Sequence, residues 1–261
     1  MRGTASVIGH DPSSSGTVTV QDAAWDMGSG TLIVGRSGAG ALNIEQGGVV
    51  TSGTALLGAI AGSSGSVTVA GGNARWSLGS GSLMVGYGGP GTLIIKDGGK
   101  VMSDLGAIGG GPTGATGSVT VSGKDAEWDA GSASVVVGVT GSGTLSVLNG
   151  GKVKSNGGTV GQASSGASGA VTISGQDAEW NTGTGQLLLG MGGSGASLSI
   201  DDGGRLTSNG SIIGKGNHPA GSATVIMRAA GLSGTRRSAA IALRWACTRA
   251  ASCVSSKARG C

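Results

Sequence analysis

The sequence predicts an all-β solenoid, a single-stranded, right-handed parallel β-helix of about eight coils, each about 26 residues long with three short strands. Three observations predict it. Trp25, Trp76, Trp128 and Trp180 recur at steps of 51, 52 and 52 residues, and self-similarity at a fixed period marks repeat architectures. The composition, 58 Gly among 261 residues with no Phe, 38% apolar and 11% charged, is that of short Val/Leu/Ile strands joined by Gly turns. Lastly, the 52-residue unit divides in two, because Gly65, Gly91, Gly117, Gly143, Gly169, Gly195 and Gly221 lie 26 residues apart. Gly16 and Gly40 extend that series with slightly shorter steps.

Each unit opens on a version of GSVTVSGKDAEW, followed by a strand ending in Gly (TLIVG, SLMVG, SVVVG, QLLLG). Then come GALNI, GTLII, GTLSV or GASLSI, a GG-x-V/L-x-S step and a short apolar strand. Both halves therefore read strand, turn, strand, turn, strand, Gly-rich loop. Eight full coils fit, the first opening at Gly16 and the eighth closing at Ala220, with a ninth opening at Gly221. At ~4.8 Å per strand the stack is a rod on the order of 40 Å long.

Alternation along each strand assigns its faces. In the first strand of each coil, pairs such as Val67/Val69, Leu93/Ile95 and Val119/Val121 point inward, and mostly polar residues such as Thr68 and Thr120 point out. The second strand reads Ala-x-Trp in one coil (Ala74/Trp76, Ala126/Trp128, Ala178/Trp180) and Val/Leu-x-Ser in the next (Val101/Ser103, Val153/Ser155, Leu206/Ser208). The repeat tryptophans, Trp25 included, are expected to point inward, with Ser103, Ser155 and Ser208 making room for the indoles. Alternating large and small residues fills stacked layers without voids.

Charge and cysteine divide the chain into a partial coil over 1–15, the solenoid over 16–225 and a basic tail over 226–261. All three cysteines and seven of the 17 basic residues follow Val225, with no acid among them. Residues 1–225 thus carry 10 basic against 13 acidic residues, a net of −3. The tail has three Gly in 36 residues, is rich in Ala and Arg, and places Trp245 65 residues after Trp180, out of register. Gly codons of a GC-rich gene read out of frame yield mainly Ala and Arg, so a frameshifted end is one reading. A basic helix for lipid or nucleic acid is another, and a cap on the solenoid's open edge a third. No 18-residue apolar run predicts a membrane span. MRGTASVIGHDPSSSG lacks the apolar core of a signal peptide, which reads as a cytosolic protein or as a fragment of a larger exported chain.

Several motifs invite chemistry. An exposed Trp row would stack sugar rings, but charged neighbours such as Glu127 and Asp129 favour core placement. Asp22, Asp125/Glu127/Asp129 and Asp177/Glu179 recur beside the Trp and would suit general acid–base work in a β-helical polysaccharide enzyme, or calcium. Against this, Asn73 and Arg75 stand there in the second unit, the calcium-binding nonapeptide is absent, and solvated outer-face residues are the simpler reading. His10 and His218 are lone loop residues rather than metal ligands. No phosphate-binding G-x-x-x-x-G-K-[ST] occurs. No cofactor, metal site or catalytic residue is expected.

GSVTVSGKDAEW, the L-x-V-G strand, G-x-G-T-L-x-I and GG-x-V-x-S, taken together over residues 16–225, resemble the type V secretion/PEP-CTERM-associated repeat. That family occurs in tandem in bacterial autotransporter passenger regions. The resemblance implies a passenger β-helix displayed at the cell surface, with a separate C-terminal translocator barrel expected in the full-length parent. It supplies no catalytic residues. The functional expectation is a non-enzymatic structural or adhesive stalk module whose partner is an unknown surface or host ligand, such as a glycan, and not nucleic acid. The alternative is a polysaccharide lyase or hydrolase, or a glycan-binding module.

Overall fold

In a computed structural model of the chain, described over residues 5–111, 115–162, 167–192, 195–214 and 222–228, 26 short strands form three parallel sheets. Sheet 1 stacks the first strand of each coil in nine layers, from Ser15–Gln21 to Ala223–Met227. Sheet 2 stacks the second strand in eight layers, from Ala24–Asp26 to Arg205–Thr207. Sheet 3 stacks the third in nine, from Ala5–Ile8 to Ser211–Ile213. Every strand pairs with its equivalent one coil away, as Leu93 does with Val67 and Val119. This is a three-sided β-solenoid of about eight coils. Among the described residues no helix is long and apolar enough to cross a membrane.

The backbone has to turn three times per coil, and each corner has its own chemistry. After sheet 3 the chain turns through a positive-φ glycine, for example Gly86 (φ 73). The first glycine of the next coil then passes close to its neighbours. A Cβ on Gly117 would lie 2.2 Å from the Val85 carbonyl oxygen and 2.5 Å from the Gly109 nitrogen. That contact is why the 26-residue glycine series exists. The series breaks at the eighth coil: Gly169 pairs with Ala196, not Gly195. The preceding loop is one residue longer there, and Gly195 sits in the left-handed region (φ 87) just before the strand.

The core is a continuous apolar column. The sheet 1 inward residues from Leu42 to Val147 are fully enclosed, and Val18, in the first layer, is half-buried. Outward residues differ from sheet to sheet. Sheet 1 shows mostly Thr and Ser, and sheet 2 carries the charges. Sheet 3 shows an aliphatic row: Val7, Ile33, Leu56, Met84 and Ala107 are successive register partners, continued by Val136, Thr159, Leu188 and Ile212.

Sheet 1 runs to Met227, and the Arg228 N–H donates to the Ile200 carbonyl. The remainder of the 226–261 tail, with Trp245 and the three cysteines, lies outside the described residues, as do His218 and Gly221.

Candidate functional site

Trp76, Trp128 and Trp180 are wholly enclosed (0% exposed). Trp25 is half-buried, because its strand is the first of sheet 2 and has a neighbour, Val50, on one side only. The serines do more than leave room. Trp128 Nε1 donates to Ser103 Oγ at 3.1 Å, Trp180 Nε1 to Ser155 Oγ at 3.0 Å, and Trp76 Nε1 to Ser52 Oγ at 3.1 Å. Each serine belongs to the preceding coil. An indole N–H sealed in an apolar core requires an acceptor, and every buried side-chain N or O among the described residues has a partner. Ser208 accepts no indole hydrogen bond among the described residues and pairs instead with Ser211 Oγ at 3.2 Å.

Sequence reasoning singled out Ser103, Ser155 and Ser208 but not Ser52, although GGVVTS at 47–52 spells the same GG-x-V-x-S step in full and carried the signal. The glycines under the indoles were also missed. A Cβ on Gly106 would lie 2.4 Å from Trp128 Cζ2, and one on Gly158 2.6 Å from Trp180 Cζ2. Ala55 holds the equivalent register position, while the intervening coils place Leu83, Val135 and Leu187 there. The large–small alternation therefore runs through two sheets in the same phase. Coils with Ser in sheet 2 have Gly or Ala in sheet 3, which opens space for the indole of the next coil.

The recurrent carboxylates each have a structural position. Asp22, Asp125 and Asp177 occupy the left-handed region at the corner between sheets 1 and 2 (φ 46, 63 and 61), as Asn73 does at 65. Asn and Asp tolerate that conformation better than other side chains bearing a Cβ. Asp26 and Asp129 accept from the N–H of Gly28 and Gly131 at 2.9 and 2.8 Å, fixing the next turn, and Asn181 does the same for Gly183.

Glu127 and Glu179 lie on the outer face of sheet 2 in a ladder of opposite charge: Lys100, Glu127, Lys152, Glu179 and Arg205 are successive partners. Glu127 Oε1 takes a 2.7 Å contact from Lys154 Nζ, and Oε2 lies 3.6 Å from Lys100 Nζ. Partial burial pushes the Glu127 pKa up, but the hydrogen bond and charge of Lys154, aided by Lys100, outweigh it and hold the carboxyl below its ordinary value. The same hydrogen bond raises Lys154. Lys152 Nζ donates to the Asp177 carbonyl at 2.6 Å and reaches Glu179 at 3.4 Å. Lys100, Glu127, Lys152 and Asp177 border a shallow open groove at the corner of sheets 1 and 2, which Lys124 and Asn149 also line.

His10 bridges Asp11 and Arg36 at 2.7 Å each on an exposed loop. The comparisons with known proteins return no matching family model, no matching curated protein and no matching solved structure.

Proposed function

We propose that this chain is a non-enzymatic structural or adhesive module, a stretch of stalk from an autotransporter-type passenger displayed at the cell surface. The observation that carries the reading is the structural use made of Asp125, Glu127, Trp128 and Asp129 in the recurrent motif. Asp125 sets a corner, Asp129 fixes a turn, Glu127 clamps two coils, and Trp128 fills the core against Ser103. A repeat whose motif is consumed by building coils supports a rod in which each coil buries its neighbour's apolar face. The stalk reading also explains why the same motif returns in every doublet, which a single active site would not require.

Antibodies against the solenoid, applied to intact producing cells, test it. Labelling of intact cells is the expected result, and labelling only after lysis overturns the surface assignment. Release of sugar from polysaccharides by the purified chain, abolished by Asp125→Asn or Asp129→Asn, would establish the enzyme reading instead.

A further inference from the structure

The third face of the solenoid carries chemistry unlike the other two. Sheet 1 strands alternate apolar and polar residues, as strands with one face in water do. Five of the nine sheet 3 strands read TLIV, ALL, SLMV, VVV and LLL, and the other four ASVI, LGAI, GTV and SII. Runs of that kind belong to parallel strands covered on both faces. Here one side is the core, and the other presents Ile33, Leu56, Met84, Leu188 and Ile212, each half-buried, in one register column, with Val136 at 9%. Tyr87, 37% exposed, follows at the adjoining corner.

We propose that this sheet 3 face is covered by the same face of a second copy of the chain. Three arguments select that occupant. First, pitch: the aliphatic tips repeat at the ~4.8 Å strand spacing, and a surface with the same pitch can interdigitate with them along the whole column, as facing sheets do in dry zippers. Another solenoid of this kind supplies that pitch in either orientation. Second, charge: no ionisable side chain stands in the column from Val7 to Ile212, so two copies meet without like charges opposed. Third, area: nine layers span about 38 Å, and strands of three or four residues are about 12 Å across. The face is then about 450 Å² and the pair buries about 900 Å², close to the ~1,000 Å² at which specific association begins. The interface is therefore weak and concentration-dependent, and arrays of displayed rods would strengthen it by avidity. The inference does not depend on the stalk reading, because it concerns the purified chain.

Sedimentation equilibrium of the full chain under reducing conditions, so that Cys247, Cys253 and Cys261 cannot cross-link, tests the proposal. A monomer–dimer equilibrium in the micromolar range is expected. Leu56→Lys combined with Leu188→Lys should weaken it roughly tenfold or more through unpaired buried charge, with the far-UV circular dichroism spectrum unchanged. Mixing that variant with the Leu56→Glu, Leu188→Glu variant should restore the dimer. Thr68→Lys with Thr172→Lys, on the outer face of sheet 1, should leave it as in the parent. A parent chain that stays monomeric, or a Lys variant that dimerises as the parent does, overturns the proposal. So does co-flotation of the monomeric parent, but not the Lys variant, with phosphatidylcholine vesicles, which would assign the face to lipid.

Discussion

Removing the Ser103 hydroxyl should strand the Trp128 indole N–H in the core. The donor lies 3.1 Å from Ser103 Oγ, with Trp128 at 0% and Ser103 at 4% exposure, so no water replaces the lost acceptor. Ser103→Ala changes the packing volume little, and its cost is that of a buried donor left unsatisfied, about 1–3 kcal/mol. For a chain of this size a loss of about 2 kcal/mol lowers Tm by roughly 4–8 °C. Ser155→Ala should cost more, because Ser155 Oγ also donates to the Gly157 carbonyl at 2.8 Å. Urea titrations followed by far-UV circular dichroism measure both. Trp128→Phe removes the donor, so in that background Ser103→Ala should cost less than about 0.5 kcal/mol, and the double-mutant cycle isolates the hydrogen bond. Equal losses in both backgrounds would refute the assignment of Ser103 as the indole acceptor.

Other predictions follow from corners and charges. Gly117→Ala should cost about 3 kcal/mol, because its Cβ meets rigid backbone of the preceding coil. Gly110→Ala, whose Cβ would meet only side-chain carbons at 3.4 Å, should change stability by less than about 1 kcal/mol; both are read from denaturation midpoints. Glu127→Gln should lower stability at neutral pH by about 0.2–1 kcal/mol, less at high salt. The Glu127 pKa is held below its ordinary 4.5, so its contribution is full above that value and disappears as pH falls through the lowered one. The Lys154 pKa is raised above its ordinary 10.5, so its share is full below that value and is lost as pH rises through the raised one. The parent–variant difference should therefore form a plateau across neutral pH and close at both ends. A difference that widens in acid would contradict the pairing.

The parts of this fold visible in the sequence are those where a face meets water. Sheet 1 alternates Val or Leu with Thr or Ser, so its inward residues and three-strand coil follow from periodicity. The Trp–Ser alternation was visible for the same reason, though only as a matter of volume. The hydrogen bond was not, because an acceptor role depends on which coil the indole leans toward, and spacing alone is symmetric. Gly106 and Gly158 were hidden among 58 glycines, most of which serve corners. The outward column of sheet 3 went unread because apolar residues at successive positions carry no period to assign. At the eighth coil a step of 26 pointed to Gly195, whereas the longer loop shifts the register to Ala196. Of the candidate carboxylates, Asp22, Asp125 and Asp177 were conspicuous as charges, while their use as left-handed corner residues shows only in the backbone.

The structural unit of this solenoid is the coil doublet, because Trp, Ser and the underlying Gly interlock only between unlike coils. Deleting residues 117–168 joins a Ser-bearing coil to the Trp180 coil and keeps every such contact. Deleting 117–142 instead sets Val101 against Val153 and Gly106 against Gly158, leaves Ser103 without an indole and the space of that indole unfilled, and brings Lys100 beside Lys152. An indole buries about 150–250 Å², worth roughly 4–6 kcal/mol at ~25 cal/mol per Å², so the shorter deletion should be the more damaging. Urea denaturation of the two variants compares them directly. A cooperative transition near the parent midpoint is expected for the doublet deletion and a strongly lowered or broadened one for the single-coil deletion. Equal midpoints, or a more stable single-coil variant, would contradict it.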